Sequence, residues 1–202
     1  MESVYLDHNA TTPVDPAVTE AMLPFLTGVY GNASSVHSVG REAKVALETA
    51  REQCAAIIGC EPAEFYFTSG GTESDNLAVV GAATQRKKLR NHLIVGATEH
   101  HAVLEPAEQL AHKSGFDLDL LPVDGDGFTT ADQLREIITD KTSLVSVMHA
   151  NNETGTIQDI AALTEVAREK GALFHTDAIQ TVGKIPVNVR DLGVDMLSLT
   201  AH

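Results

Sequence analysis

Strand and helix patterns alternate along most of this chain, and this alternation limits the possible folds more than any other feature of the sequence. Predicted strands cover residues 64–68, 92–97, 117–123, 143–149, 172–177 and 194–199. Amphipathic helices are predicted between them, at about 72–87, 102–113, 131–139 and 159–170. The strands carry few charges, as expected when helices cover both faces of a sheet. The pattern predicts an α/β fold with a doubly wound, mainly parallel sheet.

Two more helices are predicted ahead of the first strand. Asp15 and Pro16 are a typical N-cap and first residue of a helix, which we expect to run to about Leu26. A longer amphipathic helix is predicted over residues 37–58, and Gly59 takes the position that follows the end of many helices. The chain is therefore expected to begin with helices that lie outside the alternating pattern.

Composition and charge exclude several classes of function. Hydrophobic residues make up 43% of the 202 residues, which is ordinary for a globular protein with a core. No stretch approaches the ~18–20 consecutive apolar residues of a membrane span, and the first residues do not look like a signal peptide, so we expect a cytoplasmic protein without a membrane partner. The net charge of −14 argues against nucleic acid as a partner, because binding it needs a basic face.

A glycine-rich segment leads directly from a predicted strand into a helix. Residues 68–74 read TSGGTES. The two glycines let the backbone approach a ligand closely, and free N–H groups at a helix start attract an anion. The hydroxyl groups of Ser69 and Thr72 add donors. The segment is typical of a phosphate-binding loop, although it matches neither GxxxxGK nor GxGxxG, and a tight turn with a threonine cap would look similar.

Three other predicted strands end in loops that are rich in polar side chains. These loops read TEHH at residues 98–101, HANNETG at 149–155 and HTDAIQ at 175–180. In a parallel sheet such loops share one edge, where ligands bind. Imidazole, carboxamide, carboxylate and phosphate-binding groups together suit a flat, phosphorylated ring that contains nitrogen. The pattern therefore favours pyridoxal phosphate, with the carboxylate on the ring nitrogen and an imidazole over the ring face.

A metal site is the alternative interpretation of the same loops. Its candidate ligands are His100, His101, His175, Asp177 and His202, and imidazole with carboxylate suits zinc or iron. No HExxH helix is present, however, and the candidates come from separate loops without the usual ligand spacing. We therefore expect no metal.

Seven motifs resemble, in the same order, those of the cysteine desulfurases, which are pyridoxal-phosphate enzymes of aminotransferase class V and fold type I. They read YLDHNATTPVDP, GNASSVHSVGREA, FTSGGTESDNLA, TEHHAVL, SVMHANNETGTIQDI, FHTDAIQTVGKIPV and DMLSLTAH. The resemblance covers all 202 residues. It implies removal of sulfur from L-cysteine, giving L-alanine and an enzyme persulfide for iron–sulfur cluster assembly or other sulfur-transfer pathways.

The resemblance assigns four residues to the cofactor phosphate. Gly71 and Thr72 match the backbone pair that binds the phosphate in the family. Thr200 and His202 match a pair that returns to the phosphate from a later strand. The phosphate is therefore expected between the start of one helix and the end of the last strand.

Four further residues are assigned to the cofactor ring. His100 matches the imidazole that stacks on the ring and takes part in proton transfer, so it is the expected catalytic residue. Asp177 matches the carboxylate that keeps the ring nitrogen protonated. Asn152 and Gln180 match side chains near the ring hydroxyl, and His101 is expected to be a neighbour of the stacking position.

In the family, the lysine that forms the Schiff base directly follows the histidine that matches His202. The resemblance thus implies an N-terminal half, with a segment over residues 1–14 and an incomplete large pyridoxal-phosphate-binding domain over residues 15–202. The small C-terminal domain is absent from this sequence. Because the lysine and the sulfur-accepting cysteine have no counterparts here, we expect the 202-residue chain alone to be inactive.

The resemblance also implies a homodimer that uses L-cysteine and passes sulfur to an acceptor or iron–sulfur scaffold protein. Two alternatives stay open. A truncated, non-catalytic module for cofactor binding or dimerisation would show the same motifs. A related selenocysteine lyase would differ mainly in a C-terminal loop that decides the substrate.

Overall fold

The computed structural model describes residues 4–202, which cluster into two compact units divided between Tyr66 and Phe67. The first unit contains helices α1 (Pro16–Thr27) and α2 (Ser38–Ile58) and a short 3₁₀ turn, Pro62–Glu64. The second unit contains the sheet and the remaining helices.

Both helices predicted for the first unit are confirmed, and their ends follow from capping. The Asp15 carboxylate accepts a hydrogen bond from the Ala17 amide at 2.7 Å, which satisfies one of the free N–H groups at the start of α1. Gly59 ends α2 with φ of 71°, a left-handed conformation that favours glycine. The capping residues that the sequence indicates therefore set the bounds of these helices.

The strand predicted over residues 64–68 is wrong. Glu64 closes the 3₁₀ turn, and the extended residues that follow belong to no strand of the described sheet. The Arg51 side chain donates a hydrogen bond to the Phe65 carbonyl oxygen, so this backbone group is used by a side chain. Tyr66 is 75% exposed, although its neighbours in sequence have the apolar pattern of a strand.

The second unit is built on five parallel strands. They are β1 (His92–Gly96), β2 (Asp117–Leu121), β3 (Thr142–Ser146), β4 (Leu173–Asp177) and β5 (Met196–Ser198). Their order in the sheet is β2-β1-β3-β4-β5, and every neighbouring pair is parallel. Four lie within predicted strands, and β3 begins one residue before its predicted strand, so the predicted α/β fold with a doubly wound parallel sheet is confirmed.

The helices of the second unit are α3 (Gly71–Arg86), α4 (His101–Ser114), α5 (Ala131–Ile137), α6 (Ile160–Glu169) and α7 (Val189–Leu192). The first four match predicted helices. Helix α7 was not predicted, because four residues are too few to show a helical period. Within residues 4–202, no helix has both the length and the apolar composition that crossing a lipid bilayer requires.

Successive residues of each strand pack on opposite faces of the sheet. Leu93 and Val95 of β1 pack with α3 and α4, whereas Ile94 between them packs with α5 and α6. Leu144 and Val145 of β3 divide in the same way. All five side chains are at most 1% exposed. Helices therefore cover both faces, which explains the continuous apolar runs in the sequence.

The face covered by α3 becomes polar towards the carboxyl ends of the strands. Apolar residues of β3, β4 and β5 on this face are followed two positions later by Ser146, His175 and Ser198, each at most 1% exposed. Asp177, one position further along the same face of β4, is 4% exposed. A layer of buried polar side chains thus lies beneath the sheet edge where the strand-following loops begin.

A matched pair of leucine substitutions tests this core. Leu93→Ala should lower the free energy of unfolding by about 2–5 kcal/mol, because it leaves a cavity between the sheet and α3. Leu89→Ala, at a side chain that is 86% exposed, should change it by less than about 0.5 kcal/mol. Urea unfolding of both variants measures the difference. Equal losses would contradict the assigned core.

Candidate active site

The order of the strands creates a crevice at the carboxyl edge of the sheet. The chain leaves β1 for β2 on one side and returns to β3 on the other, so the connections after β1 and β3 run to opposite faces. Ligands of open α/β sheets bind at such a reversal. The polar loops after β1, β3, β4 and β5 all reach this edge.

The start of α3 forms a cradle for an anion. The first-turn N–H groups, among them those of Gly71 and Thr72, have no acceptor within the helix and point towards its N-terminal side. A Cβ atom on Gly71 would clash with the side chain of Ile179 and lie 3.0 Å from Cγ2 of Thr200. A larger residue at position 71 would therefore require the side chain of Ile179 to move where α3 meets the loops after β4 and β5.

His202 is the imidazole predicted to contact the same phosphate. Its Nδ1 atom is buried and has no hydrogen-bond partner among the residues that the structure describes. Thr200, two residues earlier, lies against Gly71. An unpartnered ring nitrogen, a hydroxyl group and a helix N-terminus fit a phosphate group.

His100 and Asp177 are the two residues predicted to contact the face and the nitrogen of the cofactor ring. His100 is the N-cap of α4, and its Nδ1 atom accepts a hydrogen bond from the Ala102 amide at 3.1 Å. Asp177 accepts one from the Ile179 amide at 2.9 Å. Burial raises the pKa of Asp177, while the Ile179 amide and the nearby His100 oppose this rise. The structure thus brings the predicted imidazole and carboxylate together.

Gln180 lies in the loop after β4, and its side-chain oxygen accepts a hydrogen bond from the Lys184 ammonium group at 2.8 Å. Asn152 is half-buried in the turn after β3. Its neighbour Asn151, which the sequence did not single out, donates to the Thr98 carbonyl oxygen at 3.1 Å and so joins the loops after β1 and β3. The two adjacent asparagines at positions 151 and 152 are the sequence feature that could have identified Asn151.

A cleft of about 330 Å³ opens between the first turns of α3 and α4. Thr72, Asn76, His100 and His101 are among its lining residues. The Asn76 amide group donates to the carbonyl oxygens of Thr72 and Ala102, at 2.8 and 3.2 Å, and so holds the two helix starts together. His101, expected to be a neighbour of the site, lines this cleft.

The buried imidazole of His175, on β4, contacts side chains of both neighbouring strands, β3 and β5. His175 is 0% exposed, and its Nδ1 and Nε2 atoms lie 2.9 and 3.0 Å from the hydroxyl groups of Ser146 and Ser198. Asp75 of α3 is also 0% exposed, with Oδ1 3.7 Å from His175 Nε2. Among the described residues, neither carboxyl oxygen of Asp75 makes a well-formed hydrogen bond.

Burial gives this pair unusual protonation states. It raises the pKa of Asp75 to about 7, with a further increase from Asp177 and a partial offset from the Ser198 hydroxyl group. It also lowers the pKa of His175 to about 4. Between these values the folded chain therefore holds a neutral carboxylic acid beside a neutral imidazole.

Glu99, in the loop after β1, is a third buried acid. Burial raises its pKa well above the usual range, although its side chain accepts a hydrogen bond from the Met148 amide. No sequence motif indicates a role for Glu99 or Asp75. Asp75 lies one and two helical turns before Val79 and Ala82 on the core-facing side of α3, so helical periodicity could have identified it as buried.

The competing metal site finds no support in the geometry. Over residues 4–202, no three His, Cys, Asp or Glu side chains come close enough together to hold a metal ion. His175, one of the proposed ligands, has both ring nitrogens within hydrogen-bond distance of serine hydroxyl groups.

Known proteins resemble this chain in both sequence and fold. Residues 4–202 match the family model of the class-V aminotransferases. A cysteine desulfurase IscS from Dictyoglomus turgidum is 52% identical over 199 residues, which are 98% of this chain and 50% of that protein. The chain thus spans about half the length of the curated relatives that it matches.

Two solved structures superimpose closely on the chain. A NifS-like protein has a TM-score of 0.95 and 42% identity, and the match covers 98% of this chain and 55% of that protein. SspA in complex with cysteine also has a TM-score of 0.95, with 39% identity over 99% of this chain and 57% of that protein.

Substitution of Asp75 tests the protonation of the buried pair. The folded pKa of Asp75 lies above its unfolded value, so the stability that folding derives from this group is lost as pH rises from about 4 to about 7. Asp75→Asn should therefore gain stability relative to the wild type over this range, by up to about 4 kcal/mol.

Urea midpoints at pH 4.5 and pH 8, both chosen for this test, measure the effect. Asp126→Asn, at an exposed aspartate in a turn, is the matched control and should follow the wild type at both pH values. An Asp75→Asn variant with the same loss of stability at both pH values would show that Asp75 is ionised in the folded chain.

Proposed function

The chain belongs to the class-V aminotransferase family, and from this membership we propose that it is the cofactor-binding part of a pyridoxal-phosphate-dependent cysteine desulfurase. The observation that carries the proposal is the anion cradle at Gly71, which lies at the same sheet edge as the buried carboxylate of Asp177. The cradle suits a phosphate group, and the carboxylate suits a protonated ring nitrogen. Residues 15–202 are proposed to form the large domain of the full-length enzyme, without its small domain.

The chain's residues fit the two ends of pyridoxal phosphate. The N–H groups of Gly71 and Thr72, with the Thr200 hydroxyl and the His202 imidazole, would hold the phosphate. Asp177 would keep a proton on the ring nitrogen, and the Ile179 amide that donates to it favours the ionised carboxylate, which offsets part of the rise in pKa that burial causes. When bound, the cofactor supplies an electron sink for reactions at the amino acid.

His100 is the proposed catalytic residue. Its Nδ1 atom is used by the cap of α4, so its Nε2 atom is the ring nitrogen left to exchange a proton with the substrate. His100 and Asn76 line the cleft beside the cradle, where an amino acid would lie. Gln180 and Asn152 are proposed to approach the ring hydroxyl group.

The reaction of the whole protein is proposed to remove sulfur from L-cysteine. A cysteine thiolate of the full-length enzyme would attack the substrate sulfur, so that a sulfur–sulfur bond forms as the carbon–sulfur bond breaks. The enzyme cysteine becomes a persulfide, and the carbon left behind takes up a proton and leaves as L-alanine. The solved relative that holds cysteine supports this substrate class. A cytoplasmic location and a sulfur-acceptor or iron–sulfur scaffold partner are further proposals that rest on the similarity to IscS proteins.

A homodimer is also proposed. The large apolar side chains of α1 include Met22, Leu23, Phe25 and Leu26, each at least half exposed within the described residues. Such a concentration of exposed apolar surface is typical of a protein–protein interface.

The cradle is tested by a pair of glycine substitutions in α3. Gly71→Ala should weaken binding of pyridoxal phosphate by about tenfold or more, because the new methyl group meets Ile179 and Thr200 where the backbone must approach the phosphate. Gly81→Ala is the matched control, since its Cβ would have no heavy atom within 4 Å. Equilibrium titration by cofactor absorbance measures both. Equal affinity of the two variants would contradict the cradle.

A separate experiment tests the proposal that activity requires the full-length protein and not residues 1–202 alone. The full-length protein that carries residues 1–202 should form alanine from cysteine in the presence of pyridoxal phosphate, and Asp177→Asn should lower kcat/KM by about a hundredfold or more. The 202-residue chain alone should form none. Alanine production by the isolated chain at a rate close to that of the full-length protein would overturn this assignment.

A further inference from the structure

Asp75 and Asp177 belong to one buried layer, although they come from different elements. His175 and Asp177 lie two residues apart on β4 and face α3, and Asp75 Oδ1 of α3 lies 3.7 Å from His175 Nε2. Ser198 is the register partner of Asp177 across β4 and β5, and its hydroxyl oxygen lies 3.0 Å from the same Nε2 atom of His175. Any charge on Asp75 is therefore felt by Asp177.

Only one of these two carboxyl groups has a reason to be ionised in the folded chain. Asp177 accepts a hydrogen bond from the Ile179 amide at 2.9 Å and faces His100. Asp75 has no comparable N–H donor among the described residues and is fully buried. Because two nearby buried carboxylates repel each other, the negative charge belongs on Asp177 and the proton on Asp75.

The imidazole of His175 is not an alternative holder of this proton. The Ser74 hydroxyl group donates to the Ser198 oxygen at 2.9 Å, which leaves the Ser198 hydroxyl free to donate to His175 Nε2. His175 Nδ1–H then donates to Ser146. A neutral ring satisfies both contacts, whereas burial opposes a charged one.

The titratable groups that face Asp75 are few. Asp177 and His175 come from β4, and Glu99 comes from the loop after β1. His100, from the same loop, acts on Asp177. A positive charge brought to Asp177 would therefore also act on Asp75.

We propose that Asp75 is a positioning residue behind Asp177 whose proton is released when the protonated ring nitrogen of pyridoxal phosphate pairs with Asp177. The O–H bond of the Asp75 carboxyl group breaks, and the proton passes to solvent. The second negative charge then strengthens the hold of the site on the protonated ring. This inference rests on the proposed function, since it requires that the site binds this cofactor.

Linkage makes the proposal measurable without any turnover. If cofactor binding favours ionised Asp75, then ionisation of Asp75 must favour cofactor binding by the same factor. The affinity of the wild type should therefore increase relative to that of Asp75→Asn as pH rises through about 7, the pKa to which burial raises this group. Below this range both proteins carry a neutral side chain at position 75 and should bind alike.

Isothermal titration calorimetry of pyridoxal phosphate, in two buffers with different heats of ionisation, tests the proton release directly. Near pH 7 the wild type should release a larger number of protons per cofactor than Asp75→Asn. Between pH 6 and pH 8 the ratio of the Kd of the variant to that of the wild type should increase by about fivefold. Asp126→Asn, at an exposed site, is the control and should match the wild type.

A carbon-13 NMR titration of the aspartate carboxyl groups in the wild type gives a second measurement that needs no variant. The Asp75 signal should show a lower pKa with the cofactor bound than without it. Cofactor binding with the same proton release in wild type and Asp75→Asn, and an unchanged Asp75 titration, would overturn the linkage alone. Failure of the wild type to bind pyridoxal phosphate at all would overturn both the linkage and the proposed function.

Discussion

Parallel pairing of five strands, with helices packed on both faces of the central strands, is the constraint on which the rest of the molecule depends. Because every pair is parallel, each loop that follows a strand must begin at the same edge of the sheet. Because helices cover both faces, polar side chains can reach the crevice only from that edge or from helix starts beside it. The anion cradle, His100 and Asp177 all occupy such positions. The site is a consequence of strand direction as much as of the residues themselves.

The layer of buried polar side chains beneath the site makes the folded state less stable than an apolar layer would. Hydrogen bonds between these side chains reduce that loss of stability. Burying a hydroxyl or an imidazole is unfavourable unless it is hydrogen-bonded, and His175 meets this condition through Ser146 and Ser198. Asp75 meets it less well, and burial favours its neutral form instead. A fully apolar layer would make a more stable sheet. With the polar layer present, the charge of Asp177 at the crevice depends on the protonation of Asp75 beneath it.

The architecture could be predicted because it is encoded in local patterns. The alternation of strands and helices, the cap at Asp15 and the glycine after α2 each depend on residues close in sequence. The strand predicted over 64–68 failed because a strand needs a partner that its own residues do not specify. Sequence patterns describe one chain segment at a time, whereas pairing is a property of two.

The candidate site was predictable to a similar extent. The loops that carry Gly71, His100 and Asp177 were identified from glycine and polar residues at predicted strand ends, and the structure places them at one edge. Asp75 was missed because it stands inside a helix, where an acidic residue usually faces water. Asn151 was missed because its function is to join two loops, and the contact with Thr98 spans 53 positions in the sequence.

The contact of Gly71 with Thr200 also determines when the cradle can exist. Helix α3 can form as soon as its own residues have been synthesised, but the surface against which its first turn packs comes from loops more than a hundred residues later. The hydrogen bond between Ser74 and Ser198 spans 124 positions in the same way. A growing chain on the ribosome therefore carries a helix start but no cradle until β4 and β5 have joined the sheet. Until then, the chain has no assembled cradle for an anion.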